Sequence, residues 1–197
     1  MAIILGVFLV QHLATHLLAV FGPEYHIAIT EAARIIYRPV VIEALLFIAL
    51  LAQIILGFLL IRRRWQLGVS GFWGWAQVIS GAYLVFFILN HTIAAVTARW
   101  SMGVDTNFYW AASTLALSPL SYGFAIYYIL APTALGAHVG AALHFAGRTV
   151  TARVTLAAGI LIGISIVTIF SGGLYEITLP PTYQDYAQYL RAMFGLH

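Results

Sequence analysis

Five of the chain's seven histidines, His12, His16, His91, His138 and His144, fall inside long apolar runs. A polar side chain in such a run is costly and usually has a function. Neutral imidazoles facing one another from two helices can ligate a haem iron. The plainer alternative is hydrogen bonding between helices, worth roughly 1–2 kcal/mol or less per contact. There is no cysteine, so disulfides, thiolate metal sites and cysteine-held iron–sulfur clusters are excluded. A redox centre held by this chain must use histidine.

The elements that position these histidines follow from composition. The chain is 62% hydrophobic and only 8% charged, with a mean hydropathy of +0.96; soluble domains carry about 25% charged residues. Apolar runs recur at about 2–21, 39–61, 75–97, 119–146 and 154–175, each near the roughly 20 residues needed to cross a bilayer. Inside hydrocarbon the backbone must satisfy itself, so these runs are expected to be helices. The reading is an all-α membrane protein, a single domain of five transmembrane helices. Residues 2–21 have no basic flank before them and no small-residue cleavage site after them, so they read as a first membrane helix and not a signal peptide. Gly22-Pro23, Arg62-Arg63-Arg64 and Asp105-Thr106-Asn107 lie between runs as loop or helix-start signals. Pro132, inside the fourth run, predicts a kink about a turn before it. The tail, 176–197, is too polar to span and reads as an interfacial helix capping the membrane surface.

All nine basic residues are arginines, and no basic-aromatic patch points to nucleic acid. Arg62, Arg63, Arg64, Arg148 and Arg153 fall on one side of the expected membrane, while Glu24, Glu31, Asp105, Glu176 and Asp185 fall on the other. Basic residues favour the cytoplasmic side, which predicts an N-terminus inside the cytoplasmic or inner membrane and a C-terminus outside.

Depth along the spans then sorts the candidates, at about 1.5 Å of rise per residue. His91 lies past the middle of an outward-running span, and His12 or His16 lies at or just past the middle of another. One histidine from each is expected to meet in the outer half of the membrane. His138 falls in the inner half, where the polar residue at matching depth on the second span is Gln53. His16, one turn from His12, is either an alternative ligand or a partner to the ligand or its propionates. His144, beside Gly147 and Arg148 at the inner boundary, either meets a quinone carbonyl or faces headgroups. Glu43, near the outer end of the second span, is either a boundary carboxylate or a proton-transfer group.

The order of these residues resembles the single-chain, five-helix cytochrome b anchors of succinate:menaquinone and fumarate:quinone oxidoreductases. The resemblance covers nearly the whole chain. It is carried by Gly6-Val7-Phe8-Leu9-Val10-Gln11-His12-Leu13, by Glu43 with Gln53-Ile54-Ile55-Leu56-Gly57, by Gln77, Ser80-Gly81 and His91, by Val104-Asp105-Thr106-Asn107-Phe108 and Leu117-Ser118-Pro119, and by His138. It implies that the first four helices form a haem-binding bundle, in which helices one and three hold the haem far from the soluble subunits and helices two and four hold the near one. His12 and His91 match the far pair, and His138 matches half of the near pair. Gln53 stands where that family has its second-helix ligand, and Val78 where it commonly has an arginine. A carboxamide is a poor iron ligand beside imidazole, so one b-type haem is expected and the inner site is left to a quinone, a water or a Gln53–His138 hydrogen bond. The resemblance further implies partners: a flavoprotein that handles the dicarboxylate, an iron–sulfur subunit, and membrane quinone and lipid. This chain would itself have no dicarboxylate chemistry. A haem-free structural or assembly subunit is the competing class. A transporter reading lacks the inverted repeats it would call for.

Overall fold

The structure is a computed structural model that describes residues 2–116 and 118–196. Leu117 and His197 therefore lie outside the described residues. Eight α-helices follow in order: α1 (Ala2–Leu18), α2 (Pro23–Tyr37), α3 (Val40–Leu67), α4 (Gly71–Ser101), α5 (Phe108–Leu115), α6 (Leu120–Phe145), α7 (Thr149–Phe170) and α8 (Pro181–Met193). A single 3-10 turn, Ala19–Phe21, extends α1, and no strand occurs among the described residues. Five helices, namely α1 with its 3-10 extension, α3, α4, α6 and α7, are long and apolar enough to cross a membrane.

The five long helices alternate in direction, so the α3–α4 and α6–α7 connections share one end of the molecule with the start of α1. Arg62, Arg63, Arg64, Arg148 and Arg153 gather there, and all six carboxylate side chains lie at the opposite, acidic end. The second and third apolar runs are shorter than the helices they mark. Arg62–Arg64 belong to the last turns of α3 and not to a loop, because α3 runs on to Leu67 before Gly68 turns it at φ +86°. Cationic side chains are favourable at a helix C-terminus. The fifth span begins five residues earlier than its apolar run, at Thr149, where polar Thr151 and Arg153 are exposed. α6 is unbroken through Pro132.

Around the bundle, α3 packs on α1 and α4, α4 packs on α6, and α7 joins α6 back to α1. The fifth span thus completes a ring with the first four. The α6–α7 contact is the most extensive in the fold, and glycines explain it. A Cβ at Gly136 would lie 2.7 Å from the Thr155 carbonyl oxygen, and one at Gly159 would lie 3.0 Å from Gly136 Cα and strike the Pro132 carbonyl. Such backbone-to-backbone approach is available only to residues without a side chain, and it is the usual way that membrane helices gain packing energy.

The densest packing lies at the acidic end, where α2, α5 and α8 cover the bundle. α5 is almost wholly buried, and Asn107 caps it by accepting the Tyr109 N–H at 3.0 Å. Phe108, Ala112 and Leu115 pack with Ala19, Ile166, Ile169 and Phe170, while Trp110 packs with Ala98, Val104 and the Tyr183, Tyr186 and Leu190 face of α8. The tail's apolar face is therefore turned into the protein.

Candidate functional site

Four histidines line up beneath this cover. His12 and His16 project from one face of α1, their Nε2 atoms 3.2 Å apart. His16 Nδ1 then meets His26 Nε2 of α2 at 3.1 Å, and His26 Nδ1 lies 3.4 Å from Thr30 Oγ1. On the other side of His12, the His91 ring of α4 stands 6.0 Å away, centroid to centroid. Aromatic rings hold the row in place. Phe8 stacks on His12 at 5.6 Å, Phe87 stacks on His91 at 5.3 Å, and Trp110 meets His91 at 5.9 Å. Phe170 stands edge-on to both His16 and His26. Histidines of α1 and α4 are thus brought together, with both His12 and His16 in the row.

His26 was not anticipated, because its helix was not. The buried stripe of α2 is His26, Thr30 and Arg34, polar residues four apart, whereas Ile35 and Ile36 are exposed. A helix with its polar face inward gives no apolar run. The available signals were Pro23 at the first helical position and Glu24 in the first turn. Burial pushes the His26 imidazole down to about 4, with a smaller contribution from Arg34, so His26 is neutral at pH 7.

Arg34 anchors this cover. Its side chain is only 5% exposed and its Nη1 lies 2.8 Å from Asp105 Oδ1; it also pairs with Glu31 and donates to Thr106 Oγ1 at 3.3 Å. Burial works against its charge, but the Asp105 and Glu31 carboxylates outweigh burial and the pKa is raised. Nearby, Glu43 accepts two hydrogen bonds from Arg99, at 2.7 and 2.9 Å. Glu43 is therefore the partner of an arginine, in line with the boundary-carboxylate reading.

The inner candidates are dispersed. His138 Nδ1 lies 3.3 Å from Ser80 Oγ on α4, and Gly81 leaves room for its ring, since a Cβ there would come within 3.3 Å of His138 Cε1. Gln53 is exposed and has no hydrogen bond to His138 among the described residues. His144 stacks on Trp73 at 5.4 Å and lies 3.4 Å from Thr149 Oγ1, away from His138. Arg148 is exposed at the helix boundary, and Val78 is buried.

The two places differ in what they can hold. An imidazole nitrogen binds a first-row metal at about 2.0–2.1 Å, so a histidine-held iron needs two imidazoles brought close together. His12 and His91, with ring centroids 6.0 Å apart, are the residues that would hold one. His12 Nε2 is now engaged by His16, so ligation would exchange that hydrogen bond for the metal. The place around His138 has one imidazole and, among the described residues, no second one facing it, and does not fit a bis-histidine haem. Comparison with known protein families, curated proteins and solved structures finds no match. The class that the fold defines is a multi-pass helical membrane protein.

Proposed function

We propose that this chain is the membrane anchor and quinone-facing, b-haem subunit of a succinate dehydrogenase or fumarate reductase complex, passing electrons between an iron–sulfur subunit and membrane quinone. The observation that carries the reading is that the His12 and His91 rings come within 6.0 Å of one another, on the helices that the resemblance implies. A haem held there supplies one-electron exchange. The chain's own residues do the rest. His12 and His91 would hold the haem iron, and Phe8 and Phe87, stacked on their rings, keep those rings in place. His16 would give up its contact with His12 Nε2 to the iron and stay beside the site, held by its hydrogen bond to His26. Phe108, Trp110 and Phe170 keep water out from the acidic end. His138, anchored through Nδ1, and exposed Gln53 are the groups proposed to meet quinone on the other side.

By the basic-inside tendency, the arginine-rich end is proposed to be cytoplasmic, which puts the N-terminus inside. The iron–sulfur subunit, carrying electrons from the flavoprotein, would dock at that end. Cross-linking should join that subunit to positions near Arg62–Arg64; links only at the acidic end would overturn the orientation.

A haem-free structural subunit is the second reading, and the hydrogen-bonded His12–His16–His26 row favours it, since those imidazoles are already satisfied. A dithionite-reduced spectrum separates the two. The first reading expects one bis-histidine b-type haem per chain, lost in His91→Ala and in His12→Ala. Absence of haem from the wild-type protein, or full haem content in a stably inserted His91→Ala, would refute it.

A further inference from the structure

At the arginine-rich end, α4 and α7 leave a groove of about 490 Å³ lined by Phe72, Trp73, Arg153, Leu156, Ala157 and Ile160. That volume falls within the about 300–1,000 Å³ of ligand sites. Its floor is Trp73, packed on α6. Trp73 stacks on His144, and one turn earlier on the same helix it comes so close that a Cβ at Gly140 would lie 3.0 Å from Trp73 Cζ3. The remaining walls are aliphatic, apart from Phe72, and Arg153 is the one charged residue of the lining.

The charge at this end is one-sided. Five of the nine arginines are here and none of the six acidic residues is. Among the described residues the ion pairs belong to Arg34, Arg38 and Arg99, all at the opposite end. Arg153 is exposed at the groove with no carboxylate beside it.

We propose that this groove binds an anionic phospholipid, with an acyl chain along Trp73, Leu156 and Ile160 and the phosphate on Arg153. A guanidinium presents paired donors that match a phosphate and its negative charge, and basic pockets between membrane helices take anionic headgroups. A neutral quinone offers isolated carbonyl acceptors and leaves the arginine's charge uncompensated. The site is independent of the haem reading.

The test is native mass spectrometry of the full chain, purified in a neutral detergent and exposed to equimolar phosphatidylglycerol and phosphatidylcholine. One phosphatidylglycerol should be retained per chain, at least tenfold over phosphatidylcholine. Arg153→Gln should reduce retention to the phosphatidylcholine level, and Ala157→Trp, which fills the groove, should abolish it for both lipids. Arg62→Gln, at the same end but outside the groove, should leave retention unchanged. Equal retention of the two lipids would overturn the proposal. So would an equal loss in Arg62→Gln and Arg153→Gln, unchanged retention in Ala157→Trp, or displacement of the phospholipid by an equimolar short-chain quinone.

Discussion

The α6–α7 seam makes the sharpest stability prediction, because two glycine-to-alanine changes in the same helix pair should act in opposite directions. In Gly159→Ala the new Cβ would strike the Pro132 carbonyl and lie 3.0 Å from Gly136 Cα and 3.2 Å from Gly136 N. All three obstacles are backbone, so no rotamer change relieves them. Ordinary contacts to a Cβ are 3.4–4 Å, so the helices must part by roughly 0.5–1 Å, and a gap of that size forfeits about a quarter to a half of the dispersion energy at the contacts it opens. Overpacking typically costs about 1–3 kcal/mol, and the most extensive helix contact of the fold belongs near the top of that range, about 2–3 kcal/mol. Gly123, in α6, has nothing within 4 Å of the position a Cβ would take, so Gly123→Ala should gain up to about 1 kcal/mol from helix propensity and reduced unfolded-state freedom. Thermal unfolding in one detergent should then show Gly159→Ala lower than the parent by roughly 5–10 °C, with Gly123→Ala equal or higher. Equal shifts in the two variants would refute the claim that close backbone approach holds α6 to α7.

Acid should loosen the cover at the acidic end. His26 binds its proton at about 4 in the fold and at 6.5 when free, so as pH falls from 6.5 to 4 the unfolded form takes up the proton first and α2 loses stability, by roughly 1.4 kcal/mol per pH unit. Protection factors of α2 amides, which correct for the intrinsic pH dependence of exchange, should fall from pH 7.5 to 5, and His26→Asn should flatten that dependence; an unchanged dependence would exclude His26 as its source. Breaking the Glu43–Arg99 pair, whose side chains are 18% and 24% exposed, should cost about 1–3 kcal/mol in Glu43→Ala, since a part-buried arginine is left unpartnered. Much of that cost should be recovered in the double variant with Arg99→Met, and a strictly additive pair would show that the two side chains do not interact. Asn107→Ala removes the cap of α5 and should cost about 1 kcal/mol, read from the same melting curves; no change would mean that packing alone holds that helix.

How much of this was legible in advance depended on the kind of signal each feature leaves. Five long apolar runs mark five long helices, since hydrocarbon-length hydrophobicity and the need to satisfy the backbone leave few alternatives. That α1 and α4 histidines come near one another was expected from residue number, which sets height along a spanning helix. Helix ends were less legible. The arginines of α3 and the threonines of α7 are helical but polar, so a hydropathy window stops short of them.

Other features came only from the tertiary arrangement. α2 turns His26, Thr30 and Arg34 inward and Ile35 and Ile36 outward, against the pattern by which a helix is usually read. Its polar face is satisfied by partners far along the chain, Asp105 and Thr106 among them. The tail reads by composition as a surface helix, but the company its tyrosines keep depends on α5, some seventy residues earlier. At the inner site Gln53 and His138 share a depth, yet His138 is held by Ser80 and Gln53 is turned to the surface. Residue type and spacing determine height along a helix and which face a side chain occupies. Which neighbour that face meets is set by how the helices rotate and pack against one another, and here that rotation is decided by where glycines let two backbones touch.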